Sequence, residues 1–163
     1  MKHLTEGSFE SFSIEGCIGC DCPDEYMKFK ISIKSTWLGD YNEYSMVKHI
    51  KGGLNTFLTE DIDRDSEFLF SLDAQKVLCE LMDDMECEGY TPLMKQTEPY
   101  ALGSYVVDYF GMSSFERISL LAITHGALCR FVWRHHEDDQ VGSAVVPLEY
   151  VRNVMAEFIT RLN

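Results

Sequence analysis

The clearest pattern in the chain is MKFKISIK. Met27, Phe29, Ile31 and Ile33 alternate strictly with Lys28, Lys30, Ser32 and Lys34. A period of two marks a strand with one face in the core and one in water. Three lysines on the wet face also discourage edge-to-edge pairing. Upstream, SFESFSIEG alternates more weakly, with Phe12 and Ile14 on one side, and predicts another strand. The cysteine-rich CIGCDCPDE between them reads as a loop, ending at Pro23. Trp37-Leu38-Gly39 breaks the alternation.

Helical spacing then takes over. Asp40 and Glu43 stand three apart, the spacing of a capping box, and predict a helix start. Val47, Ile50, Leu54, Phe57 and Leu58 form its apolar side. Gly52-Gly53 weakens this helix by about 1 kcal/mol per Gly relative to Ala, or ends it early. After the acidic TEDIDRDSE, Ser71 is placed to cap a second helix, with Val77, Leu78, Leu81, Met82 and Met85 along one side. Glu80, Asp83 and Asp84 take the opposite side, Glu86 and Glu88 lie near the end, and Gly89 stands where a C-cap glycine belongs. Acids at a helix C-terminus oppose the macrodipole.

TPLMKQTEPY, with two prolines, reads as a connector, and ALGSYVVDYFG fits either a short helix or a strand. SFERISLLAIT and ALCRFVWRH flank His125-Gly126 as a hairpin, with Cys129, Phe131 and Trp133 facing away from Arg130, Val132 and Arg134. EDDQVGS is a polar turn and SAVV a third strand. Pro147 suits the first turn of a final helix striped by Leu148, Val151, Val154, Met155, Phe158, Ile159 and Leu162. Strands early and late, with helices between and after, predict a single α+β domain over residues 1–163. Its sheet is mostly antiparallel, with about three helices including the amphipathic one at the C-terminus.

Composition supports a packed core. Apolar residues make up 45% of the 163 residues and aromatics 12%, which argues against disorder. No segment reaches the roughly 18 uncharged apolar residues of a membrane span. The start, MKHLTEGSFES, has no long apolar stretch of the secretory kind. A cytoplasmic protein with no membrane partner is the expectation, and its six cysteines are then expected as free thiols.

Charge changes the picture most. There are 27 Asp and Glu against 14 Lys and Arg, a formal charge of −13. Such a surface repels nucleic acid and anionic lipid and suits a basic protein or cations. The acids form three clusters: Glu60, Asp61, Asp63, Asp65 and Glu67; Asp83, Asp84, Glu86 and Glu88; and Glu137, Asp138 and Asp139. Tyr41, Tyr44 and Tyr90 stand near acids and are of the type that anchors an interface.

Candidate chemistry is thin beside this. Cys17 and Cys20 have the spacing of a zinc knuckle and Cys22 adds a third thiol, but no second CxxC and no HxxxH follows. The neighbouring Asp21, Asp24 and Glu25 oppose a reactive thiolate. Asp61, Asp63 and Asp65 match the first three calcium-ligand positions of an EF-hand loop. Ser66 then replaces its Gly and Leu72 its bidentate Glu. RHHEDD places His135 and His136 side by side, where a strand would point them to opposite faces. No nucleophile elbow supports a Ser-His-Asp triad. No cofactor and no catalytic residue is assigned.

The stretch SSFERISLLAITHGALCRFVWRHHE, followed by VVPLEYVRNVMAEFITRL, resembles the end of immunity proteins from bacterial polymorphic-toxin systems, among them contact-dependent growth inhibition. The resembling elements are Arg117–Thr124, His125-Gly126, Leu128–Arg134 and Val145–Leu162, about the last 50 residues. The resemblance implies a cytoplasmic, non-enzymatic protein that neutralises one cognate toxin, often a basic nuclease. That family has no shared binding motif, so the acidic clusters are candidates by charge alone. Two other classes remain open: an acidic module that mimics nucleic acid, and a small metal-dependent enzyme using CIGCDC or RHHEDD.

Overall fold

The structure is a computed structural model that describes residues 1–59, 64–98, 101–107 and 110–163. Its strands are β1 (Lys2–Gly7), β2 (Phe12–Ile18), β3 (Tyr26–Ile33), β4 (Thr36–Leu38), β5 (Ser45–Met46), β6 (Ile118–His125), β7 (Leu128–His135) and β8 (Val141–Pro147). Its helices are α1 (Val47–Thr59), α2 (Glu67–Ser71), α3 (Ala74–Leu81), α4 (Met94–Thr97), α5 (Leu102–Tyr105), α6 (Ser113–Glu116) and α7 (Leu148–Arg161). The α+β class, the antiparallel pairing and the C-terminal helix are as the pattern predicts. The strands divide into two sheets.

The first sheet runs β1-β2-β3-β4, with β5 also on β3, and the second runs β6-β7-β8. Every pairing within them is antiparallel. The MKFKISIK strand is therefore central, with neighbours on both sides, so its lysines do not guard an edge. Strand β1 has only Leu4 buried and gave no periodic signal, yet it pairs along its whole length with β2. β2 continues through Cys17 to Ile18, so the first cysteine is a strand residue and not a loop residue.

The larger core lies between the sheets. Phe12, Ile14, Phe29 and Ile31 meet Phe131, Trp133 and Val146, with Ile50, Leu54 and Phe57 of α1 and Val151, Val154 and Phe158 of α7 closing the sides. Phe29 is at its middle, with ring centroids 4.9, 5.9 and 6.0 Å from Phe110, Phe115 and Phe158. A smaller core covers the other face of β6-β7-β8, where Leu121, Ile123 and Val132 pack under Leu69, Val77, Leu78, Leu81 and Met94. The second sheet is thus covered on both faces, which is why β6 is buried almost throughout.

Several local expectations are corrected. Asp40 and Glu43 do not cap α1, which starts at Val47 after β5. Asp40 Oδ1 accepts from Asn42 N at 2.8 Å in a turn, and Glu43 Oε2 accepts from Ser114 N at 2.7 Å at the start of α6. Gly52-Gly53 does not end α1, because Ile50, Leu54 and Phe57 bury the face that holds it. Asp73, not Ser71, caps α3, accepting from Lys76 N at 2.9 Å. That helix stops at Leu81, so Asp83, Asp84, Glu86 and Glu88 lie in the following loop and face no helix dipole. Trp37 and Leu38 belong to a short strand.

Candidate functional site

Strands β6, β7 and β8 share an end, where Ile118 pairs with His135 and Arg134 with Val141. The turn from His136 to Gln140 closes it, with His135 N donating to Gln140 O at 2.9 Å. Arg134 organises this end. Its Nη1 donates to Asp84 at 2.7 Å, while its Nε and Nη2 donate to Asp139 at 2.9 and 2.7 Å. The bonds to Asp139 and Asp84 hold the guanidinium pKa above its usual value, and the same bond from Arg134 holds the Asp84 carboxyl below the ordinary range. Arg117 pairs with Glu137 at 3.3 Å. Two of the three acidic clusters, far apart in sequence, therefore meet at one end of the sheet.

Beside them is a concave site of about 290 Å³ whose lining includes Trp37, Asp40, Arg117, His135, Glu137 and Asp138. It lies where the β4 end of the first sheet meets this end of the second. His135 faces it, whereas His136 turns away and pairs its Nε2 with Ser119 Oγ at 2.7 Å. Ser119 lies inside β6 rather than on a nucleophile elbow.

The first acidic cluster does not join them. Asp65 forms a bridge to Thr124 and stands 3.7 Å from His125 Nδ1, at the opposite end of β6. Seven strand steps separate the two ends, about 23 Å. Glu67 opens α2 close to Asp65. Glu60, Asp61 and Asp63 lie outside the described residues. Within the same run Arg64 is buried, with its guanidinium over the Phe57 ring and Nη1 on Phe57 O at 3.3 Å.

Glu80 was expected on a wet helix face and is only 1% exposed. Its Oε1 accepts from the Tyr90 hydroxyl and from Leu93 N at 3.1 Å, and its Oε2 accepts from Met94 N at 2.7 Å. The carboxylate thereby stitches α3 to the segment that leads into α4 behind the acidic loop. Burial first, then the bond to Glu80, pushes the Tyr90 phenol up to about 12. No periodicity marks Glu80, because donors outside its helix decide its place.

The tyrosines also differ from expectation. Tyr90 is tied to Glu80. Tyr41 and Trp37 flank the Lys30 ammonium at 4.9 and 3.7 Å, Lys30 pairs with Glu15 at 3.1 Å, and Lys28 lies 5.2 Å from the Tyr44 ring. Tyr41 and Tyr44 thus sit with lysines on the open face of the first sheet, while Trp37 also lines the concave site beside the acids.

Free thiols are expected from the sequence, yet the structure pairs Cys17 with Cys20 and Cys79 with Cys87 as disulfides, leaving Cys22 and Cys129 unpaired. The turn after β2 and the loop after α3 bring these partners to Cα separations of 6.0 and 6.2 Å, within reach of a disulfide. Burial pushes the Cys129 thiol up to about 12. Cys22 points its sulfur to Tyr26 O at 3.6 Å, away from the other two.

No family model and no curated protein matches the chain. The two antiparallel sheets, the larger core between them and the closing C-terminal helix make a fold that a solved structure also has. That structure is CdiI from Burkholderia dolosa AUO158, similar with a TM-score of 0.67 and covering 97% of this chain and 99% of that one. Identity is 9%, so the likeness is one of fold. Among the described residues no helix is long and apolar enough to cross a membrane.

Proposed function

We propose that this chain is an immunity protein, acting in the cytoplasm by binding and neutralising one cognate protein toxin without catalysis of its own. The observation that carries the reading is the CdiI fold, matched over almost the whole length of both chains. The net charge of −13 supports a basic toxin, as a nuclease would be. We place the contact at the acidic end of the second sheet, on Asp83, Asp84, Glu137, Asp138 and Asp139 with Glu86 and Glu88 beside them. The concave site there is lined by Asp40, Glu137 and Asp138 together with Arg117, which pairs with Glu137 at 3.3 Å, and we assign it to a basic side chain of the toxin that would compete for these acids. Opposite fields speed encounter, and anchors buried in such a site hold the complex.

The test is protection. The toxin encoded beside this chain is expressed in a host with and without it, and growth and complex formation are followed at low and moderate salt. Rescue with a one-to-one complex that survives moderate salt supports the reading, and unprotected growth arrest refutes it. For the contact surface, Asp83→Lys with Asp138→Lys should slow association at least about tenfold, while Asp65→Lys with Glu67→Lys at the far end should not. Equal effects of the two pairs would show that net charge alone acts and would refute the placement.

A further inference from the structure

The turn between β2 and β3 gathers donors suited to a soft cation. β1 sets His3 opposite Cys17 in the pairing register, and His3 Nε2 lies 3.8 Å from Cys17 Sγ. The chain then turns through Gly19 at a φ of +67° and returns Cys20 to Cys17. One donor atom from each of His3, Cys17 and Cys20 lies within 4.8 Å of the others. Cys17 and Cys20 are 1% and 5% exposed, whereas His3 is at the rim, open to solvent. A side chain at Gly19 would be strained at this φ, and a Cβ there would stand 2.8 Å from Asp24 Oδ1. The Asp24 carboxylate thus lies over the turn that joins the two cysteines.

We propose that His3, Cys17 and Cys20, with the Cys17–Cys20 bond reduced, form a site for one thiophilic divalent cation, zinc by its chemistry. A dithiol reductant gives two electrons and two protons to the disulfide, breaks the sulfur–sulfur bond and leaves as its own disulfide. The cation then displaces one proton from each thiol to solvent and is held by two thiolates and a neutral imidazole. Two thiolates balance the dication, so little net charge is buried. Two cysteines separated by two residues are a common zinc spacing, and the fourth tetrahedral position falls to water. Thiolate donors select zinc over magnesium or calcium. The bound cation would fasten β1 to the β2–β3 turn. Tyr44, whose hydroxyl donates to Cys20 O at 3.1 Å, links that turn to the lysine–aromatic face.

The test uses the full chain, stripped of metal and kept reduced with a phosphine, titrated with Co²⁺. A thiolate-to-cobalt absorption band that saturates at one equivalent and is displaced by Zn²⁺ is expected. Cys17 is buried and its replacement can perturb the strand, so the deciding variant is His3→Ala at the rim. As the loss of a ligand, it should weaken Co²⁺ binding by more than the about tenfold that losing a ligand's supporting partner costs, while metal-free thermal unfolding stays unchanged. Cys22→Ser and His125→Ala should bind as the parent does. No band at one equivalent, a band indifferent to His3→Ala, or a band lost in Cys22→Ser would each overturn the proposal. None of these readouts involves a toxin, so the site stands or falls independently of the immunity reading.

Discussion

Glu80→Gln keeps the size and shape of a buried side chain and should still be costly. Both carboxylate oxygens are acceptors in the fold. One receives the Tyr90 hydroxyl and Leu93 N, the other Met94 N. A glutamine supplies one acceptor and one NH₂ group. Whichever way its amide turns, the NH₂ faces a backbone N–H that has lost its partner. A bond to a charged group contributes about 1.5–3 kcal/mol, and a buried donor left unsatisfied costs about 1–3 kcal/mol. The expected loss is about 2–4 kcal/mol, a large part of the ~5–15 kcal/mol that holds a domain folded. Urea unfolding followed by circular dichroism reads it directly. With a slope of about 1–3 kcal/mol per molar, the midpoint should fall by about 1 M or more at unchanged slope. Glu80→Ala should lose at least as much, because Met94 N then faces a cavity. A glutamine variant within about 0.3 M of the parent would refute the account of Glu80 as the tie between α3 and α4.

Three further outcomes follow from packing and titration. Gly142→Ala places a Cβ 2.3 Å from the Trp133 ring, so ring or strand must move; a loss of about 1–3 kcal/mol should appear as a lowered Tm, and an unchanged Tm would contradict this packing. Phe29→Ala removes the ring that touches Phe110, Phe115 and Phe158 and should cost about 3–5 kcal/mol in urea unfolding. Tyr90 keeps its proton up to about 12 in the folded chain against 10.0 for a free tyrosine. Its contribution is therefore complete below pH 10 and is lost as pH rises from 10 to 12. Tyr90→Phe should flatten that alkaline limb of the stability profile, and an unaltered limb would assign it elsewhere.

Where one face of an element met the core and the other met water, the sequence was readable: MKFKISIK and the Leu148–Arg161 helix appear close to where their periods place them. The Leu128–His135 strand was placed by its alternation too, but its second face, with Arg130 and Val132, is buried and not wet. β1 was not, because one buried leucine in six residues carries no period and its place is set by pairing with β2. The split into two sheets was hidden too, since neither sheet's strands announce which neighbours they take. At the candidate site the acids were visible as charge, but not the meeting of Asp84 with Asp139. That depends on Arg134, read only as the outward residue of an alternating strand. Capping spacings misled for a related reason. Asp40 and Glu43 have the right interval, but Ser114, seventy-one residues on, is the donor that Glu43 serves.

The second sheet is buried on both faces, and the two coverings are separate in composition. The larger core fixes how the strands and α7 are arranged, while the loop bearing Asp83 and Asp84 rides on the smaller cluster around Leu78, Leu81 and Met94. Substitutions in that smaller cluster can shift the charged loop without touching Phe29, Phe131 or Phe158. The architecture is in this sense modular under mutation: a lineage could redraw the face that meets a partner and leave the scaffold's packing in place. Two chains that share this fold at 9% identity are consistent with that freedom.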